Sequence, residues 1–184
     1  IFPTQMGEII IDNMSGPSDL THIIVGGEKL KHYYDRPYIV VNAYGPTEST
    51  VETTFFNVDQ EYRNIPIGKS LLNVRSYVVD EQLAPVPVGM PGELCHAGRQ
   101  IARGYHNLPE KTAAAFVANP FASGPDDGLM YRTGDMVRRR GDGLIEYSGR
   151  IDSQVKIRGY RIELSEIEGA MLAQPGIKET AVTV

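Results

Sequence analysis

From Leu20 to Val25 the chain is nearly continuously apolar and rich in β-branched residues, and the run stops at Gly26-Gly27. That pattern predicts a buried strand ending in a sharp turn. Glu28 to Asp35 has helical composition, and Pro37 to Val41 is a second apolar run, leading directly into Asn42. Strand, helix and strand at this spacing predict a parallel α/β sheet. In such sheets ligands bind beyond the carboxyl ends of the strands, where Gly26-Gly27 and Asn42 to Glu48 both fall.

After Val74 the pattern shortens to brief apolar segments separated by Pro and Gly. Val74 to Val79, Gly92 to Ala97, Met136 to Arg139 and Leu144 to Tyr147 are the predicted strands, and Arg140-Gly141-Asp142-Gly143 is a hairpin signal. Pro109 to Val117, with an early proline and several alanines, predicts a helix. Ser165 and Glu168 have capping-box spacing and predict a helix ending before Pro175-Gly176. Thr180 to Val184 reads as the start of a further strand. The chain shows no internal repeat and no low-complexity tract.

Composition narrows the function classes. Among 184 residues, 41% are hydrophobic and 22% charged, which are globular values. Eighteen basic against 23 acidic residues give a net charge of −5, which argues against a general nucleic-acid or anionic-membrane surface. The single Cys95 excludes an internal disulfide framework and fits a reducing compartment. It sits in the apolar run Glu93 to Ala97, where a buried strand residue is expected rather than a reactive thiol. His22, His32, His96 and His106 are scattered, and no His or Cys cluster has zinc-ligand spacing. No stretch reaches transmembrane length and the start lacks a basic leader segment, so a cytoplasmic location is expected. Arg138-Arg139-Arg140 beside the hairpin reads as a solvated turn.

The chemistry lies in three runs: Asn42-Ala43-Tyr44-Gly45-Pro46-Thr47-Glu48, Tyr131-Arg132-Thr133-Gly134-Asp135, and Gly149 to Gly159. The first combines an aromatic face, a tight Gly-Pro turn, a hydroxyl and a carboxylate, the parts of a nucleotide site. On its own it is equally a turn with Tyr44 as a core residue. In this order the three runs, with Glu93 to Lys111, resemble the core motifs of amino-acid adenylation domains of nonribosomal peptide synthetases. The resemblance covers nearly the whole chain. One departure is Gly98-Arg99-Gln100-Ile101, where the family usually has a second glycine near Gln100.

The resemblance implies ATP-dependent adenylation of an amino acid, with Mg²⁺, followed by transfer to a phosphopantetheine-bearing carrier domain. Tyr44 would stack on adenine and Asn42 would hydrogen-bond its edge, while Gly27 and Gly45 would let the backbone approach closely. Thr47 would reach the α-phosphate and Glu48 would ligate Mg²⁺, a hard cation suited to carboxylates. Asp135 would accept from the ribose hydroxyls, Tyr147 would pack on the ribose, and Arg150 would face the nucleotide. Asp152 falls where the family hinges between subdomains, and Lys156 and Gly159 on the segment presented to the site after rotation. The implied fold is the adenylate-forming α/β fold in truncated form. Residues 1–151 would belong to the large subdomain, with its parallel α/β and β-barrel-like portions. Residues 152–184 would be the hinge and the start of a small α+β subdomain.

Carried across residue by residue, Ile24, Gly26, Ala43, Val51 and Glu52 would face the amino-acid side chain. Glu52 is the one charge in that set, and a buried carboxylate calls for a cationic partner. A guanidinium answers it with two parallel hydrogen bonds, so arginine is the first expectation, with lysine, ornithine and tyrosine as alternatives. The other reading turns Glu52 to solvent. The family's phosphate-binding loop, its upstream substrate-holding Asp and its C-terminal catalytic lysine are not found in this chain. A non-catalytic nucleotide-binding or interaction fragment, or an acyl-CoA synthetase-type enzyme, therefore remains as an alternative, and the rest of the adenylation domain counts among the expected partners.

Overall fold

The computed structural model describes residues 1–14, 19–157 and 159–183. Arg158 and Val184, both within expected motifs or elements, lie outside the described residues. A first sheet has the order β1-β2-β3-β4-β5, from Phe2–Pro3, His22–Gly26, Ile39–Tyr44, Thr54–Val58 and Lys69–Ser70. Its first three strands are parallel and its last two antiparallel, so the sheet is mixed. Helix α1 (Thr4–Asn13) lies against β2, with Gly7 close to Val25. Ile11, Ile23, Val25, Leu30, Tyr38, Val40, Val58 and Ile65 form the core between them. Each such side chain contributes roughly 1.5–3 kcal/mol on full burial.

One expectation fails in this half, and one element is unexpected. Glu28 to Asp35 is not helical. Instead Leu30 is drawn into the core at 1% exposure, and Tyr33 and Tyr34 pack against the same cluster. Positions 30, 33 and 34 have helical spacing, so the apolar pattern by itself does not account for the irregular path of this segment. Helix α1, which the apolar pattern did not announce, has neither a capping side chain nor an acidic first turn.

The second sheet is antiparallel in the order β10-β9-β7-β6, with β8 also pairing with β9. These strands are Val74–Val79 (β6), Pro91–Gly98 (β7), Phe116–Ala118 (β8), Leu129–Arg139 (β9) and Ile145–Arg150 (β10). Period-2 alternation on β7 sends Leu94 into one cluster, with Ile67, Val78, Val137 and Ile145, and Cys95 and Ala97 into another with Val79 and Met130. The hairpin signal at 140–143 joins β9 to β10, with Gly143 at φ 84°. The Ile67 N–H donates to the Ile145 carbonyl at 2.8 Å, tying the second sheet to the first.

Helix α2 (Pro109–Ala115) ends sooner than expected, because Phe116 and Val117 enter β8. A two-stranded hairpin, β11 (Gln154–Ile157) and β12 (Tyr160–Glu163), leads into helix α3 (Leu164–Leu172). The capping box does not form: Ser165 lies inside the helix and Glu163 holds the N-cap position without a side-chain bond. Residues 180–183 form no strand, and the Val182 N–H donates to the Glu168 Oε1 instead.

Candidate nucleotide site

A cleft of about 690 Å³ opens where the carboxyl end of β3 meets the β9–β10 pair and the β11 strand. Asn42, Tyr44, Gly45, Asp135, Tyr147, Arg150, Asp152 and Lys156 all line it, together with Gly27 and Ala43. The structure thus brings together most of the residues read from separate motifs. The register explains part of this. Asp135 on β9 and Arg150 on β10 are direct cross-strand partners, and a bulge at Tyr147/Gly149 adjusts the pairing just before them.

The polar groups on this wall form one network. The Tyr44 hydroxyl donates to Asp135 Oδ2, and Arg150 Nη1 donates to Asp135 Oδ1 at 3.0 Å. Arg150 also grips Asp152 with two parallel bonds, 2.6 and 2.7 Å, and donates to the Thr133 carbonyl at 3.2 Å. Thr133 is anchored by its hydroxyl to the Leu94 carbonyl, and accepts from the Asp135 N–H. Burial raises the Asp135 carboxyl above its ordinary value, against the opposing pull of Tyr44, Arg150 and Lys156. For Arg150 burial works against the charge, but Asp152 and Asp135 outweigh it and raise its pKa. Burial lowers the Lys156 ammonium, with Asp135 acting the other way. Its chain is solvent-accessible at the cleft rim yet surrounded by protein. Tyr147 is pushed up to about 12 by burial, with Asp135 adding to the effect. Asn42 is buried and its amide donates to the Pro66 carbonyl at 2.8 Å.

Thr47 and Glu48 do not line this cleft. Thr47 is exposed at the start of a short 3-10 turn, and Glu48 is buried behind it. Both Glu48 oxygens accept from Arg161 Nη1, at 2.6 and 2.8 Å, and Oε1 also accepts from the Tyr105 hydroxyl at 2.7 Å. Burial would raise this carboxyl, but Tyr105, its own backbone N–H and Arg161 together hold it below the ordinary value. A lone hard carboxylate suits a Mg²⁺ ion shared with nucleotide phosphates. It does not make a dedicated cage: among the described residues there is no cluster of three metal-binding side chains.

The amino-acid set is dispersed. Of Ile24, Gly26, Ala43, Val51 and Glu52, the cleft is lined only by Ala43. Gly26 and Ala43 pair across β2 and β3, and Val51 is 65% exposed. Glu52 is partly buried, and its Oε1 has no hydrogen-bond partner among the described residues. The loop carrying Val51 and Glu52 folds back on Gly45. A Cβ on Gly45 would stand 2.3 Å from the Val51 carbonyl oxygen and 2.6 Å from the Glu52 Cα, so this glycine serves a chain crossing. Gly27, by contrast, has open space and is required for its φ of 93°. Thr50 and Val51 sit at φ 54° and 67°, and the Glu52 N–H donates to the Thr50 carbonyl at 2.8 Å. A tight turn of this hand on β-branched residues costs roughly 1–3 kcal/mol for each strained residue.

Sequence reasoning missed Arg161, Tyr105, Gln100 and His96. Arg161 pairs directly with Lys156 across β11 and β12, so two cations face the same side of one hairpin. That alternation was the available signal. His96 is fully buried, with its ring nitrogens 3.1 Å from the Thr53 hydroxyl and 3.0 Å from the Ser76 hydroxyl. Burial lowers its pKa to about 3, so it stays neutral. Cys95 is buried as expected, its thiol pushed up to about 12 chiefly by burial.

The model of the AMP-binding enzyme family matches residues 6–106, more than half of the chain. The chain belongs to that family. It is 48% identical over 172 residues to bacitracin synthase 1 of Bacillus licheniformis, covering 94% of this chain and 3% of that protein. It is 46% identical over 181 residues to surfactin synthase subunit 1 of Bacillus subtilis (strain 168), covering 98% and 5%. The chain therefore spans a small part of the length of the relatives it matches. Among solved structures it resembles holo-PA1221, an NRPS protein containing adenylation and PCP domains bound to a vinylsulfonamide inhibitor. That likeness has a TM-score of 0.83 and 30% identity, over 97% of this chain and 33% of that one. The α/β adenylation-domain architecture, in truncated form, is accordingly the fold of this AMP-binding chain. No helix among its described residues is long and apolar enough to cross a membrane.

Proposed function

We propose that the chain forms part of an enzyme that joins the carboxylate of an amino acid to the α-phosphate of ATP and then passes the aminoacyl group to a phosphopantetheinyl carrier domain. The observation that carries this reading is the single cleft shared by Asn42, Tyr44, Asp135, Tyr147, Arg150 and Lys156. Such chemistry depends on positioning and charge rather than on a covalent protein nucleophile. Tyr44 supplies an aromatic face, Asp135 accepts from the ribose hydroxyls, and Arg150 and Lys156 bring positive charge to the phosphate side. Thr47, just outside the cleft lining, would reach the α-phosphate. Glu48 would be the residue to hold a Mg²⁺ ion, which would supply positive charge against the developing charge of the leaving pyrophosphate. Asp152, gripped by Arg150, is the hinge between residues 1–151 and 152–184.

The favoured amino acid is arginine or another cationic one, with neutral tyrosine as the alternative. The unpartnered Glu52 Oε1 supports this, because a buried carboxylate oxygen gains most from a charged donor. ATP–pyrophosphate exchange tests the reading in the complete enzyme. Exchange driven by amino acids and not by fatty acids is expected, and exchange with fatty acids alone would replace it with the acyl-CoA synthetase reading.

A further inference from the structure

The loop from Gly45 to Thr53 holds a shape that its own residues resist. Thr50 and Val51 are adjacent β-branched residues, both in the left-handed region. What restrains them is Gln100, in the turn that follows β7. Its side-chain nitrogen donates to the Ser49 carbonyl at 2.8 Å and to the Glu52 carbonyl at 2.9 Å, one on each side of the strained pair. Its backbone carbonyl accepts from the Thr50 hydroxyl at 2.8 Å. An amide has two donor hydrogens, and both are spent here on backbone carbonyls. A carboxylate at this position would face them with no donor at all.

The other end of the loop is secured separately. The Tyr44 carbonyl accepts from both the Thr53 N–H, at 2.8 Å, and the Thr53 hydroxyl, at 3.0 Å. The Tyr44 ring is fixed through Asp135. Gln100 does not line the cleft, and its hydrogen bonds go to Ser49, Thr50 and Glu52. Its influence falls on the Val51 and Glu52 side of the loop alone.

We propose that Gln100 is a positioning residue for amino-acid recognition: by bridging Ser49 and Glu52 it fixes the turn that aims the Val51 and Glu52 side chains, and so sets affinity and selectivity for the amino acid without touching it. This rests on the reading of Val51 and Glu52 as walls of the amino-acid pocket.

The test uses amino-acid-dependent ATP–pyrophosphate exchange in the complete enzyme, with arginine and tyrosine as the two amino acids. Gln100→Ala and Gln100→Glu are each expected to raise KM for the amino acid about tenfold, equivalent to about 1.4 kcal/mol. The ratio of kcat/KM between the two amino acids narrows, while KM for ATP stays within about twofold. Thr50→Val, at an exposed position, removes the bond to the Gln100 carbonyl and moves the same two quantities in the same direction by less. Should Gln100→Ala fail to fold, Thr50→Val decides. An unchanged amino-acid KM and ratio overturns the proposal, as does a parallel rise in both KM values. Glu52→Gln and Val51→Ala separate the two layers of the argument. If they leave the ratio untouched while Gln100→Ala alters it, the pocket reading fails and the role of Gln100 stands. If they alter it and Gln100→Ala does not, the Gln100 proposal alone fails.

Discussion

The two halves of the segment from Asn42 to Thr53 are built in opposite ways. Asn42 to Tyr44 end a strand, and their side chains are held by other side chains and by a carbonyl: Asn42 on Pro66, Tyr44 on Asp135, Asp135 on Arg150. Gly45 to Glu52 form an irregular loop held through its backbone, by Gln100 and by the close crossing over Gly45. The first construction gives a rigid wall whose chemistry is written in residue identities. The second gives a shape whose side chains can vary while the backbone contacts persist. On the proposed function, a rigid nucleotide wall beside a loop held through its backbone would suit an enzyme that keeps one cosubstrate and changes the other.

The contrast can be broken from either side. The largest effect is expected at Glu52. If it pairs with a cationic amino acid, Glu52→Gln leaves a buried charge unmatched and costs roughly 2–5 kcal/mol in exchange with arginine. Exchange with tyrosine and KM for ATP should hardly move. An unaltered arginine-to-tyrosine ratio would turn Glu52 to solvent and end the cationic reading.

Next comes Asp135→Ala, which should show the reverse pattern. It removes a charged acceptor worth about 1.5–3 kcal/mol to the nucleotide, so KM for ATP rises while the preference among amino acids is kept. Titration of ATP in the exchange assay reads this directly, and unchanged ATP binding would remove Asp135 from the ribose.

Last, and read on stability at low pH rather than on exchange, comes His96, which stands behind both halves through Thr53 and beside the Tyr44 ring, 6.0 Å between centroids. Its folded pKa, about 3, lies below the unfolded value of 6.5. The unfolded chain therefore binds the proton first as pH falls. Stability is intact above about 6.5 and declines toward 3, by up to roughly 1.4 kcal/mol per pH unit. Thermal midpoints across that range should fall less steeply in His96→Gln than in the unsubstituted enzyme. Parallel curves would mean that His96 does not govern this slope.

The same contrast explains what the sequence made legible. The strands at 22–26, 39–44, 74–79 and 91–98 follow from apolar runs bounded by Gly and Pro, and the residues at the end of 39–44 that line the cleft were named through the resemblance of their motif. Helix α1 escaped notice because it lacks capping signals, and segment 28–35 buries Leu30 without forming the helix that its composition announced. Ser165 had the right spacing for a cap but falls one residue inside α3. The hold of Gln100 on the loop was illegible for a further reason. Its partners are carbonyls, which every residue has, so no choice of side chain at Ser49 or Glu52 could advertise them.

The salt bridge between Glu48 and Arg161 spans 113 residues of sequence and closes the β11–β12 hairpin over the carboxylate, helped by the Gly159 N–H on Glu28 Oε1 at 2.7 Å. A cation that seeks the oxygens of Glu48 competes there with Arg161. Occupancy of that carboxylate and docking of the hairpin are thus opposed, and by thermodynamic reciprocity each weakens the other by the same factor. A ligand that takes Glu48 from Arg161 would loosen the hairpin's hold on this side, and a docked hairpin would weaken that ligand in return, so one ion pair couples the two.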